Sequence, residues 1–91
     1  MTAPDAEQLA LETLTFIAGS PEDLARFLAL SGATPADLRG RASDREFLTG
    51  VLDFILGDDD VASRFCRSRS IDSAALHVAR SRLSGSRNSD N

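Results

Sequence analysis

The only cysteine and the only histidine of this 91-residue chain are its first candidates for a nucleophile–base pair. Such a pair needs the thiol and the imidazole within hydrogen-bond reach beside a cleft. Cys66 falls at an apolar position of the predicted helices, where a free thiol behaves as a small hydrophobe. His77 stands beside Leu76 but off the apolar face of its helix. We therefore predict a core thiol, a surface imidazole, no catalytic residue and no enzymatic activity.

Three consecutive acids, Asp58-Asp59-Asp60, are the strongest candidate for a metal site. A calcium loop needs alternating oxygen ligands and a glycine-bearing turn, and this run has neither. No Cys and His residues have the spacing of a zinc site, and no glycine-rich phosphate-binding motif occurs. The acids instead suit the positive N-terminal end of a helix. We predict a helix cap here, and no metal, cofactor or small-molecule ligand.

Arginine is the third candidate chemistry, because all ten basic residues are Arg. Residues 1–63 hold 12 acids and four Arg, whereas residues 64–87 hold six Arg and one acid. An acidic body with a basic end can orient encounters with charged partners, and the simpler interpretation is a solvated surface of uneven composition. The side chains that could contact an anion or a partner are Arg64, Arg67, His77, Arg80 and Arg82.

Capping signals divide the chain into the short helices that would position these residues. Ser20 and Thr34 each precede a proline, which is the pattern of an N-cap followed by the first helical residue. Ser43 and Glu46 have the spacing of a capping box. No alternating run rich in β-branched residues predicts a strand. The predicted helices cover residues 5–18, 21–31, 35–41, 44–56, 59–67 and 73–83.

Two segments have the outline of a helix-turn-helix, namely LALSGATPADLRGRA and CRSRSIDSAALHVARSR. In the second, either Ser70 or Asp72 would cap the last helix, and the sequence leaves both choices open. Such helix pairs are also common in proteins that never contact DNA. The net charge of −4 opposes binding to a phosphate backbone. Nucleic acid is therefore the less favoured partner.

An internal repeat accounts for the most apolar segment, FLTGVLDFILG at residues 47–57. Laid against LALETLTFIAG, 38 positions earlier, it aligns Phe54 with Phe16. Eight of 34 positions are identical over residues 9–42 and 47–80, where composition alone gives about three. Helical proteins also share apolar spacing, so whether the repeat is a true duplication stays open at this point.

We predict an all-α fold, a compact bundle of about six short helices that the repeat would arrange as two pseudo-symmetric three-helix units. A helix that is apolar most of the way round is buried, so helix 44–56 should form the centre of the core against helix 5–18. Phe27 and Phe65, from the second helix of each unit, should close that core. The predicted organisation is one domain over residues 1–83, with sub-repeats 5–42 and 44–83, followed by a flexible polar tail at 84–91.

Three blocks of the sequence resemble a known family, ALETLTFIAGSPEDLARFLALSGATPADLRGRA, FLTGVLDFILGDDD and DSAALHVARSRLSG. They are similar to domain-of-unknown-function family 3572, whose members are short alphaproteobacterial proteins, and the similarity covers residues 9–85. The resemblance implies a small bacterial all-helical protein and brings no activity, ligand or catalytic residue. Ser73 stands where the family is expected to favour proline, a harmless change at a first helical position.

Function follows largely by elimination. We predict a non-enzymatic, cytoplasmic helical module that binds another protein or itself. The alternative is a weak nucleic-acid-associated protein that uses its helix-turn-helix-like pairs and its Arg-rich C-terminal third, and an enzyme is a distant third. No stretch reaches the roughly 20 apolar residues of a membrane span, and MTAPDAEQ lacks the features of a secretory signal. With one Cys, no internal disulfide can form, so a cytoplasmic location without a membrane partner is expected.

Overall fold

A computed structural model describes residues 6–42 and 44–85, and within them the chain forms six helices and no strand. The all-α prediction is confirmed, and each helix boundary lies within two residues of its predicted position. The helices are α1 (Ala6–Ala18), α2 (Pro21–Ser31), α3 (Pro35–Gly40), α4 (Arg45–Leu56), α5 (Asp59–Arg69) and α6 (Ser73–Gly85).

The predicted caps start three of these helices. The Ser20 hydroxyl accepts a backbone N–H of the first turn of α2 at 3.4 Å. Thr34 and Asp37 form a reciprocal capping box at α3. Asp58 accepts two backbone N–H groups of the first turn of α5, so the acidic run acts as a helix cap. Because each cap satisfies N–H groups that have no partner within the helix, it fixes where the helix begins.

At two other helix starts, the structure corrects one predicted cap and decides between the two candidate caps of the other. The carboxylate of Asp44 accepts the N–H of Glu46 at 3.0 Å and caps α4, so the predicted capping box headed by Ser43 is wrong. An ionised acceptor suits the positive helix end better than a hydroxyl does; Ser43 itself lies outside the described residues. At α6, Asp72 accepts a backbone N–H at 3.1 Å, whereas Ser70 ends α5 with φ of 56°.

The last helix is longer than predicted. α6 continues through Ser84 to Gly85, whereas the sequence pattern places both residues in the polar tail. Arg80 donates a hydrogen bond to the Ser84 hydroxyl at 3.4 Å, one turn further along α6. This side-chain contact supports the final turn. Residues 1–5 and 86–91, which include the rest of the predicted tail, lie outside the described part of the chain.

The apolar segment at residues 47–57 forms α4, the helix that links both halves of the core. Leu48, Leu52 and Ile55 are buried in one apolar cluster, and Phe47 and Val51 are buried in a second. α4 contacts α1, α2, α5 and α6. A helix with neighbours on most sides must be apolar on most sides, so core packing explains the composition of this segment.

The packing of α1 against α4 agrees with the prediction from the repeat. Phe27 and Phe65 are both buried, as predicted for the second helix of each unit. The third helices differ, because α6 packs on α1 and α4 and buries Leu76 and Leu83, whereas α3 buries no residue. None of the helices in the described residues is long and apolar enough to cross a membrane.

Candidate functional site

Two of the five predicted patch residues already pair with acids of this chain. Arg64 on α5 donates to Asp23 on α2 at 3.1 Å and to Asp60 at 3.1 Å. Asp23 is only 2% exposed and also accepts from Arg26 at 3.0 Å, so its buried charge is balanced. The hydrogen bond that Arg64 donates to Asp23 raises the pKa of Arg64. Arg64 therefore joins α5 to α2.

Arg80 joins α6 to α4 in a similar way. Its Nε lies 2.5 Å from Oδ1 of Asp53, and its Nη2 lies 3.4 Å from Oδ2 of the same carboxylate. This two-pronged contact raises the pKa of Arg80 above its ordinary value. Bidentate guanidinium–carboxylate pairs are geometrically specific. The guanidinium of Arg80 therefore already has a partner within the chain.

The other three predicted residues, Arg67, His77 and Arg82, are exposed. Within residues 6–42 and 44–85, neither Arg67 nor Arg82 forms an ion pair. The predicted patch is thus divided between two arginines held by acids on α2 and α4 and three side chains that face solvent. Whether those three contact an anion or a partner stays a prediction.

The thiol of Cys66 belongs to the core rather than to a reactive centre. It is half-buried and packs against the cluster that contains Leu52 and Phe65. Burial, and secondarily the negative charge of Asp72, raises the pKa of Cys66. A raised pKa keeps the thiol protonated and weakly nucleophilic. His77 is exposed, as predicted.

Two phenylalanine pairs of nearly identical geometry lie on the two sides of the α1–α4 core. Phe16 of α1 meets Phe65 of α5 edge to face, with ring centres 5.3 Å apart and planes at 66°. Phe54 of α4 meets Phe27 of α2 at 5.4 Å and 73°. In each pair the ring on α5 or α2 is buried and the ring on α1 or α4 is half-buried. Each side therefore has one edge-to-face pair as its aromatic floor, and on the α2–α4 side the Phe47 ring also lies 6.0 Å from that of Phe27.

One of the two sides is covered by an arginine of the chain itself. The guanidinium carbon of Arg69 lies 5.7 Å from the centre of the Phe65 ring. Its Nη1 lies 3.4 Å from a carboxylate oxygen of Glu12 on α1. The Arg69 side chain thus bridges α5 and α1 over the phenylalanine pair, combining a cation–π contact with an ion pair.

On the opposite side, between α2 and α4, no side chain of residues 6–42 and 44–85 forms such a cover. The positions 38 residues away from Arg69 and Glu12 are Ser31 and Gly50, which have neither length nor charge. A groove of about 640 Å³ opens there. We call it the α2–α4 groove, and its lining includes Phe27, Leu30, Ser31, Gly50, Asp53 and Phe54. Leu30 is 75% exposed, one of two large apolar side chains exposed in the described part of the chain.

Gly50 is the feature of the groove that internal packing does not explain. A Cβ placed on it would meet no atom within 4 Å. Glycine inside a helix costs about 1 kcal/mol relative to alanine, and no contact within the described part of the chain requires that loss. Gly50 also lies where the α2–α4 groove adjoins two further surface depressions. The glycine therefore leaves the α4 backbone accessible at the centre of this face.

Acidic side chains border the groove along α4. Glu46, Gly50 and Asp53 are exposed, and their spacing places them on one face of the helix. Glu46 forms no ion pair within the described residues. On the α2 edge, Arg26 is bound to Asp58 at 2.6 Å. The charged side chains that line the groove are Arg26, Asp53 and Asp58, one positive and two negative, and Glu46 adds a negative charge in the adjoining depressions.

The sequence prediction missed this groove, although the repeat contained a signal for it. Aligned at 38 residues, Leu30 stands against Ser68, so an apolar residue replaces a polar one on the surface. At two other aligned positions a short residue stands where the other unit has a long polar one: Gly50 aligns with Glu12, and Ser31 aligns with Arg69. Departures from the repeat, rather than its identities, mark the site.

No group of three or more His, Cys, Asp or Glu residues in the described ranges could hold a metal ion. The family described as "Protein of unknown function (DUF3572)" matches residues 3–86 of the chain. No curated protein matches the chain, and no solved structure does either. The match spans the six helices and the groove, and the chain belongs to the DUF3572 family.

Proposed function

We propose that this chain is a non-enzymatic, cytoplasmic module that binds another protein through the α2–α4 groove. The observation that carries the proposal is Leu30, which is 75% exposed beside an open aromatic groove. Burying a leucine side chain contributes roughly 1.5–3 kcal/mol, and a partner that covers this face would gain that contribution. The lone cysteine, which allows no internal disulfide, supports a reducing compartment.

The shape of the groove supports a protein partner. A half-buried aromatic floor, an exposed leucine and a charged edge together have the composition of an interface, with an apolar centre and a polar rim. Phe54 offers part of its ring to the groove, and Gly50 allows a partner backbone to approach α4. A few anchor residues that fill such pockets carry most of the binding energy at protein interfaces.

Nucleic-acid association is the alternative function, and the charges give it less support. Arg64 and Arg80 already pair with Asp23 and Asp53, which leaves fewer guanidinium groups for phosphates. The rest of the chain is acidic, and the net charge is −4. An acidic body within about 8 Å, the screening length at physiological salt, repels the phosphate backbone.

A pull-down with the affinity-tagged full chain tests the proposed function. Extract of the native cell is used with and without nuclease, and Leu30→Asp is compared with Val78→Asp. Val78, on α6, is also exposed and does not line the groove. We expect a defined protein that is retained after nuclease treatment and by Val78→Asp but lost with Leu30→Asp.

Fluorescence anisotropy with labelled duplex and single-stranded DNA and RNA tests the alternative. We expect only weak association at low salt. Binding at 150 mM salt that reaches micromolar affinity and disappears in Arg80→Ala/Arg82→Ala would reverse the order of the two functions.

A further inference from the structure

We infer that the α2–α4 groove receives an arginine side chain from a segment of another protein, laid over the Phe27–Phe54 pair and paired with the acids of α4. The inference rests on the proposed function and names the chemistry of its partner. The partner segment carries an apolar residue near this arginine, which covers Leu30.

The occupied side of the molecule supplies the template. Arg69 crosses from α5 to α1 over the Phe65 ring and reaches Glu12. The floor beneath it has the same edge-to-face geometry as the floor of the open groove. A floor that accepts a guanidinium on one side is suited to accept one on the other, because the geometry of the ring pairs is alike.

A second phenylalanine of this protein is also covered by an arginine. The guanidinium carbon of Arg41 lies 5.2 Å from the centre of the Phe47 ring, next to the groove. The flat guanidinium stacks on aromatic faces and forms two parallel hydrogen bonds with a carboxylate, whereas a lysine ammonium does neither. The local chemistry therefore favours arginine over lysine.

Among residues 6–42 and 44–85 no side chain covers the open groove; Asp53 lines it, and Glu46 lines the two depressions that adjoin it at Gly50. Glu46 lies one turn before Gly50, is exposed, and forms no ion pair within the described residues. Asp53, about one turn after Gly50, has a side chain that is 51% exposed although it binds Arg80. A carboxylate accepts about four hydrogen bonds, so Asp53 has capacity left. An arginine crossing Gly50 would lie between these two acids.

The exposed leucine sets the second requirement on the partner. Leu30 lines the groove on the α2 side, opposite the acids of α4. Its counterpart beside Arg69 is Ser68, so the covered side offers no comparable apolar surface. A partner that matches both edges carries an apolar residue and an arginine together, which a polyanion such as nucleic acid does not.

Backbone amide shifts of the full ¹⁵N-labelled chain, titrated with blocked peptides, test the inference. The probe is Ac-Leu-Ala-Ala-Arg-NH₂, compared with peptides in which citrulline, lysine or norleucine replaces arginine. We expect shifts that centre on Ser31, Gly50 and Phe54, and about tenfold weaker binding for citrulline, because it loses the charge but keeps the shape.

Two variants exchange the covers of the two sides. Ser31→Arg/Gly50→Glu transfers the covering pair to the groove, and we expect it to abolish peptide binding while circular dichroism stays unchanged. Arg69→Ser/Glu12→Gly removes the cover from the other side, where Gln8, Thr15 and Ser68 stand at the positions of Glu46, Asp53 and Leu30, and we expect no second set of shifts near Phe16 and Phe65. If one variant unfolds, the other variant and the citrulline comparison on the unaltered chain still test the inference.

The outcomes separate the inference from the proposed function. Equal binding of the arginine and norleucine peptides in the groove would overturn the arginine inference and leave a groove that binds apolar segments. Absence of shifts with every peptide, together with a pull-down that Leu30→Asp does not change, would overturn both. Binding lost on citrulline substitution and on transfer of the cover supports both.

Discussion

The α1–α5 side and the α2–α4 side of this bundle have the same floor and different covers. Each floor is an edge-to-face phenylalanine pair that joins a central helix to a second helix. Arg69 and Glu12 cover one side, whereas Ser31 and Gly50 leave the other open. The residues at these two pairs of equivalent positions thus determine whether the aromatic floor is covered by the chain itself or left exposed.

The comparison extends to the charges that hold the second helices. Arg26 and Arg64, 38 positions apart, both bind Asp23, one from its own helix and one from α5. Glu7 and Arg45, also 38 positions apart, are 3.1 Å from each other. Contacts between equivalent positions are expected where two copies meet about a near two-fold axis. We propose on this basis that the two halves arose by duplication, and superposition of residues 9–42 on 47–80 would test it.

The largest expected effect concerns what the two sides share. Leu52→Ala should lower the free energy of unfolding by about 2–5 kcal/mol, because Leu52 is fully buried between the helices. The equivalent change, Leu14→Ala, removes a side chain that is 8% exposed in the other cluster, and we expect a somewhat smaller loss. Urea unfolding followed by circular dichroism measures both. A cost for Leu52→Ala below about 1 kcal/mol would contradict the central role of α4.

The shared framework was predictable because it depends on local rules. Ser20, Thr34 and Asp58 bind backbone N–H groups a few residues away, so their effect is visible in the sequence. Phe27 and Phe65 are apolar at helical spacing and have to be buried. Ser43 was a wrong choice because an adjacent aspartate competed for the same cap, and sequence spacing alone did not rank the two.

The difference between the sides was not predictable in the same way. The arginines of the C-terminal third were recognised as charges, but their partners Asp23 and Asp53 lie on other helices, 41 and 27 positions away. Leu30 stands three residues after the buried Phe27, at the spacing of a core residue, and is nevertheless 75% exposed. Which apolar residue stays uncovered depends on the whole arrangement of helices.

A smaller effect is expected at the centre of the open side. Gly50→Ala should raise the free energy of unfolding by about 1 kcal/mol, because alanine favours the helix and its Cβ meets nothing within 4 Å. Gly32→Ala is the matched control, and it should destabilise by about 1–2 kcal/mol because φ is 75° there. Thermal unfolding compares the two variants with the parent chain. If Gly50→Ala destabilised the isolated chain, Gly50 would have an internal role and the groove would lose its unexplained glycine.

The smallest expected effect, on the unfolding temperature, distinguishes an acid that stabilises the fold from an acid that is available to a partner. The hydrogen bond from Arg41, followed by the N–H of Glu46, lowers the pKa of Asp44 below its ordinary value of 3.8. A lowered folded-state pKa stabilises the fold at pH values above the ordinary pKa, and this stabilisation is lost as pH falls through the folded-state pKa. Asp44→Asn should therefore lower the unfolding temperature at neutral pH, by an amount that shrinks below about pH 3.8.

Glu46→Gln is the comparison for Asp44→Asn, since Glu46 is the next acid along the same edge and forms no ion pair within the described residues. It should change the unfolding temperature much less at every pH, because a solvated carboxylate contributes little beyond its effect on the helix end. Calorimetry between pH 2 and pH 7 gives both curves. Parallel curves for the two variants would mean that Glu46 is also committed to the fold, and the α2–α4 groove would then lack the free acid that an incoming arginine needs.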